Sequence, residues 1–152
     1  MIDSRINPVA VLVAAVVALV PSGAWYMALG EPYLEALGKT QAELDRGPSM
    51  AVAMTLQLAC NVVTAFVIAW FVVRTGAQTA RRGLTIALVA WVGFVACVLA
   101  PMYAFQAYSF AFFAICSLGV LIAFMTMGPI VGGWHRRATR ASAFAKRGFP
   151  AH

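Results

Sequence analysis

From Gly83 to Trp134 the chain carries no Asp, Glu, Lys or Arg. A water-soluble domain needs charge on the outward face of each element, so an uncharged stretch of this length belongs in a bilayer. A membrane helix needs roughly 20 apolar residues to cross about 30 Å of hydrocarbon. Gly83–Trp134 is too long for one such span and reads as two, at about 83–103 and 108–134. The break falls in "APMYAFQAY", Ala100 to Tyr108, where Pro101 disfavours helix continuation and Gln106 is polar.

Two more apolar runs come earlier, at about 8–29 and 49–73. Asn7–Pro8 opens the first, since proline is tolerated in a first helical turn. "GPSM" opens the second and Arg74 closes it. The first run resembles a signal segment in one respect, the small residues of "PSGA" before Trp25. It is long for such a segment, and Asp3 stands beside Arg5 ahead of it, so a retained helix is expected. Four helices with their loops fill most of the 152 residues, of which 62 % are hydrophobic and 11 % charged. The expected fold is an all-α membrane protein, a four-transmembrane-helix bundle over residues 1–135 with a basic tail over 136–152.

The net charge of +6 is distributed as an orientation signal. Glu31, Glu35, Glu43 and Asp45 outnumber Lys39 and Arg46 between helices one and two. Arg74, Arg81 and Arg82 follow helix two, and Arg136, Arg137, Arg140, Lys146 and Arg147 follow helix four. The positive-inside rule then puts both termini in the cytoplasm, with the acidic loop and the third loop outside. Anionic lipid is the expected partner of the tail, and nucleic acid is not. Trp25, Tyr26, Trp70 and Trp134 fall near the ends of their runs, where amphipathic rings anchor a helix at the interface. Tyr33, Tyr103 and Tyr108 lie on the acidic side as well. Trp91 lies deeper, so its indole N–H requires an internal acceptor or a wet cavity. The acidic loop "PYLEALGKTQAEL" reads either as a short amphipathic helix or as an ordered polar loop.

An ionisable residue within a span is a functional candidate by default, and these spans contain none at mid-membrane. His135 sits at a boundary and His152 is near-terminal. No haem pair, metal cluster, cofactor site or hydrolytic triad is expected, nor an enzyme. Cys60, Cys97 and Cys116 lie in apolar runs and read as small hydrophobes rather than a disulfide framework. The polar groups that stand out are Gln57, Asn61 and Thr64, whose spacings of four and three put them on one helix face. Amides in hydrocarbon need partners. The stripe is therefore either interhelical glue or the wall of a polar site, with Trp91 nearby. Gly128 and Gly132 form a GxxxG pair suited to close helix approach, with Pro129 between them.

The order of these elements resembles the bacterial membrane family catalogued as domain of unknown function 1761. The residues that carry the resemblance are "NPVAVLVAAVVALV" leading to "GAWY", then "LGKT", "WVGFVA" and "MGPIVGGW". The chain departs from that family's usual pattern in the "PSG" before Trp25 and in the short acidic segment after Tyr26. The resemblance implies a four-helix integral membrane protein and no particular activity, and the expected location is the bacterial inner membrane. Two functional classes stay open. One is association, as a homo-oligomer or as an accessory subunit of a membrane complex. The other is a small channel, carrier or bundle that binds lipid or another neutral ligand.

Overall fold

A computed structural model of the protein describes residues 6–76 and 78–134. Among them the regular elements are all helical, and four helical stretches are long and apolar enough to cross a membrane: Pro8–Ala28, Met50–Arg74, Ala80–Phe105 and Phe110–Gly133. At 1.5 Å per residue even the shortest, with 21 residues, spans about 31 Å, the thickness of a hydrocarbon core. The basic tail and His135 lie outside the described residues.

The helices begin where local chemistry satisfies their free N–H groups. In α1 (Pro8–Ala28) the Asn7 side chain accepts from the Val9 N–H at 3.1 Å, and Pro8 stands in the first turn. Ser49 caps α4 (Met50–Arg74), and Thr79 caps α5 (Ala80–Ala90). Ser109 caps α7 (Phe110–Gly133) and also donates to the Ala36 carbonyl at 3.1 Å. That second bond ties the start of α7 to α2 (Gly30–Leu37). The acidic loop is thus helical in two pieces, α2 and the single turn α3 (Gln41–Leu44). In α2, Glu31 and Glu35 are exposed, while Tyr33, Leu34 and Leu37 are half-buried. Tyr33 packs on Phe112 and Tyr26, each with ring centroids 5.8 Å away.

The third span differs from the simple expectation. Its helix does not yield at Pro101: α6 (Cys97–Phe105) runs through that proline and past Tyr103. Membrane helices tolerate such a defect because neighbouring helices and local adjustments of the helix re-satisfy the freed carbonyl. The turn comes instead at Gln106–Ser109, where Ala107 takes φ 55°. Between α5 and α6 the residues Trp91–Ala96 form a π-helical turn. Such a turn holds an extra residue, which re-phases the helix beyond it by about 100°. Gly83 and Ala87 are buried before this turn, whereas the π segment and α6 bury nothing.

The core sits at one end of the bundle. We call that end basic, after Arg74, Arg81 and Arg82, and the opposite end acidic, after Glu31, Glu35, Glu43 and Asp45. Ala14, Ala18, Ala65, Ile68, Val72, Ala87 and Met127 form the centre of the buried cluster. Small side chains prevail because helices in lipid gain by close backbone contact rather than by expelling water. On α4 every buried residue lies at or beyond Asn61. From Met50 to Cys60 that helix buries no residue at all. Four helices therefore pack tightly in the basic half, and α4 and α6 leave the core in the acidic half.

Candidate functional site

The close packing of the basic half rests on three glycines. A Cβ added to Gly83 would collide with the Gly128 carbonyl oxygen and lie 3.0 Å from the Gly132 Cα. One added to Gly128 would meet the Gly83 oxygen at 2.6 Å and the Ala87 Cβ at 2.8 Å. A Cβ on Gly132 would lie 2.5 Å from the Thr79 carbonyl oxygen. The Gly128/Gly132 pair is thus occupied within the chain, where it seats α7 on α5, and it is not an open face for a second copy. The sequence pattern named the pair, but Gly83 is its partner.

The acidic half is open by contrast. A cavity of about 700 Å³ lies between α1, α4 and α7 and is also lined by Val95 of the π turn. Gln57, Asn61 and Thr64 all line it, as do Ser22, Gly23 and Tyr26 from α1. No charged side chain lines it among the described residues.

The polar groups of the wall are wired in order. Asn61, only 3 % exposed, donates from Nδ2 to the Ala15 carbonyl oxygen at 3.2 Å. Its Oδ1 accepts from Gln57 Nε2 at 3.0 Å. Asn61 therefore both joins α4 to α1 and forms part of the cavity wall. Gln57, one helical turn nearer the acidic end, is exposed at the wall. The Thr64 hydroxyl makes no hydrogen bond to the described residues, whereas Thr55, Thr85 and Thr126 each bond the carbonyl four residues back. Ser22 turns inward to the Ala18 carbonyl of its own helix. Tyr26 lies against Gly119, where a Cβ would come within 2.7 Å of the phenol oxygen. That hydroxyl too makes no hydrogen bond to the described residues.

Trp91 is not part of this wall. Its indole N–H donates to the Ser117 carbonyl at 3.0 Å, an internal acceptor on α7. Of the expected interface anchors, Trp25 likewise donates inward, to the Ile115 carbonyl at 3.0 Å. Tyr26, Trp70 and Trp134 are exposed by 37 %, 41 % and 42 %. The Arg74 guanidinium stands 5.1 Å from the centre of the Trp70 ring, at the basic end. Sequence spacing did not show Ser22, Gly23, Gly119 or Cys60 as lining residues. The clue to the first two was the "PSG" in α1, which thins that helix where the cavity lies. Cys60 enters because the open half of α4 presents a broad face. Among the described residues no group of three His, Cys, Asp or Glu is placed to hold a metal ion.

The family described as "Protein of unknown function (DUF1761)" matches residues 9–132 of this chain. The match covers most of the length, and the chain belongs to that family. No curated protein and no solved structure matches it.

Proposed function

We propose that this member of the DUF1761 family binds an uncharged, largely apolar molecule in the cleft between α1, α4 and α7. The observation that supports this reading is the cavity itself. Its volume of about 700 Å³ falls within the range of small-molecule sites. Apolar side chains make most of its wall, with the amides of Gln57 and Asn61 and the hydroxyls of Thr64 and Tyr26 as polar handles. A charged ligand would find no countercharge there, and burying an unpaired charge is costly. The glycine contacts close the basic half, so a single copy suits holding or carrying a ligand better than conducting ions.

The test uses the protein in detergent and monoolein as an uncharged probe, with lysophosphatidylglycerol as the charged counterpart. Native mass spectrometry should find monoolein bound and the charged lipid bound about tenfold more weakly. Gly23 lines the cavity and has no atom within 4 Å of an added Cβ, so Gly23→Leu fills the space without a clash. That variant should lose monoolein. Unchanged binding in Gly23→Leu would overturn the reading.

Association is a second reading, supported by the faces that find no partner within the chain. Met50 to Cys60 of α4 and Val98 to Phe105 of the third span present large apolar groups, with Phe105 91 % exposed. A homo-oligomer, or another membrane protein laid along α4, would cover the mouth of the same cleft. Mass measurement in detergent tests this, and a monomer that co-purifies with nothing sinks it. The charge pattern supports residence in the bacterial inner membrane with both termini cytoplasmic, and anionic lipid at the basic end and tail. An enzyme that works only outside the cytoplasm, fused after His152, should be inactive, and its activity would contradict that orientation.

A further inference from the structure

We infer that the cleft selects a lipid whose uncharged polar end carries a hydroxyl, over an otherwise equal lipid whose polar end only accepts hydrogen bonds. This rests on the reading that the cleft binds an uncharged molecule, and it names the chemistry of that molecule.

The selectivity follows from the direction of the hydrogen-bond chain. The Ala15 carbonyl can only accept, so the Asn61 group that meets it is Nδ2. Asn61 Oδ1 then faces Gln57, which must present Nε2. Reversing either amide would set donor against donor or acceptor against acceptor. The main chain of α1 thus fixes how Gln57 stands at the cavity wall. Two groups of that amide remain for a ligand: the carbonyl oxygen Oε1 and the second N–H of Nε2. A hydroxyl satisfies both, since its hydrogen goes to Oε1 while its oxygen accepts from the N–H. An ether or ester oxygen meets only the N–H and sets its lone pairs against Oε1. With lipid rather than water around this span, that acceptor then stays unmet.

The other polar groups fit a hydroxylated ligand without setting the preference. Thr64 stands seven residues beyond Gln57 on the same helix, about 10 Å farther from the acidic end. Tyr26 lines the cavity from α1. Both hydroxyls donate or accept equally well. Gln57 is also the best placed for an incoming ligand. It lies on the half of α4 that buries nothing and lines the cavity with an exposed side chain.

Oleyl alcohol and oleyl methyl ether test the inference, because they differ only in a methyl group that replaces the hydroxyl hydrogen. Each is titrated into the full chain in detergent, and bound probe is counted by native mass spectrometry. The alcohol should bind about tenfold more tightly, the worth of one hydrogen bond to an otherwise unmet group. Gln57→Leu should bring the two within about twofold, because the alcohol loses both of its hydrogen bonds to the amide and the ether only one. Gln57 is exposed, so this variant keeps its core, and thermal melting confirms it is folded. Equal binding of both probes to the wild-type chain would overturn the hydroxyl preference and leave the cavity reading standing. Binding of neither would overturn both.

Discussion

Asn61 Nδ2 reaches the carbonyl oxygen of Ala15 at 3.2 Å, and this bond marks the level at which the bundle changes character. Toward the basic end, α1 and α4 are buried against each other and α7, through Ala14, Ala65 and Ile68. Toward the acidic end α4 is free of the core and lines the cavity. An amide suits that position. It satisfies its own polarity through a main-chain acceptor and leaves a second amide, Gln57, oriented at the wall.

Asn61→Leu should therefore loosen α4 from α1. Interhelical hydrogen bonds in membranes are worth about 0.6 kcal/mol on average and up to roughly 2, so the expected loss is about 1 kcal/mol. Melting in detergent measures it. The same variant frees Gln57 to rotate, so any preference for oleyl alcohol over its ether should fall as well. A variant that melts like the wild type and keeps the preference would show that the bond does neither.

The glycine contacts between α5 and α7 predict a sharp contrast between positions. Gly128→Ala sets a methyl group against the Gly83 carbonyl and the Ala87 Cβ. It should cost about 3 kcal/mol, the upper part of the usual overpacking range. Gly23→Ala meets nothing within 4 Å and should be neutral or stabilise by up to about 1 kcal/mol. Parallel melting curves decide the point, and equal effects at the two sites would refute the packing.

Ala107 holds a left-handed conformation at φ 55°, in the turn between α6 and α7. A Cβ there costs roughly 1–2 kcal/mol that glycine does not incur. Ala107→Gly should raise the melting temperature, whereas Ala107→Val should lower it. The opposite order would mean the turn adopts another shape.

Glu43 gives a pH-dependent signal at the acidic end. Its carboxylate accepts from the Thr40 backbone N–H and hydroxyl, both at 2.8 Å. Those bonds, backbone first, hold its pKa below the usual 4.5. A lowered carboxylate pKa contributes order above the usual value, and that order is lost as the pH falls through the lowered one. The capping of α3 should accordingly persist at pH 5 and open only below 4.5. Thr40→Ala should return Glu43 towards its usual value. An NMR titration of the carboxyl group reads both, and a wild-type midpoint at 4.5 would show the cap is not formed.

Much of this architecture was legible in the sequence because transfer from water to lipid acts residue by residue. Hydropathy placed four spans, and Pro8 and Ser49 marked two of their starts. The spacing of Gln57, Asn61 and Thr64 put them on one face. The end of the third span was less legible. Pro101 ordinarily stops a helix, but inside a bilayer the missing bond is tolerated and the turn waited for Ala107 and Ser109.

What the sequence determined by itself was the solvent each segment meets and the side chains that share a helix face. Only the tertiary structure decided their partners. Asn61 is met by a main-chain oxygen of Ala15 and Trp91 by that of Ser117, and a carbonyl leaves no trace in residue identity. Gly128 and Gly132 are met by Gly83, far away in the chain. Helices in lipid gain their contact energy from the fit of backbones at short range rather than from the apolar character of any one residue. Which half of the bundle closes, and which stays open as a cavity, is therefore settled only when the four helices are set side by side.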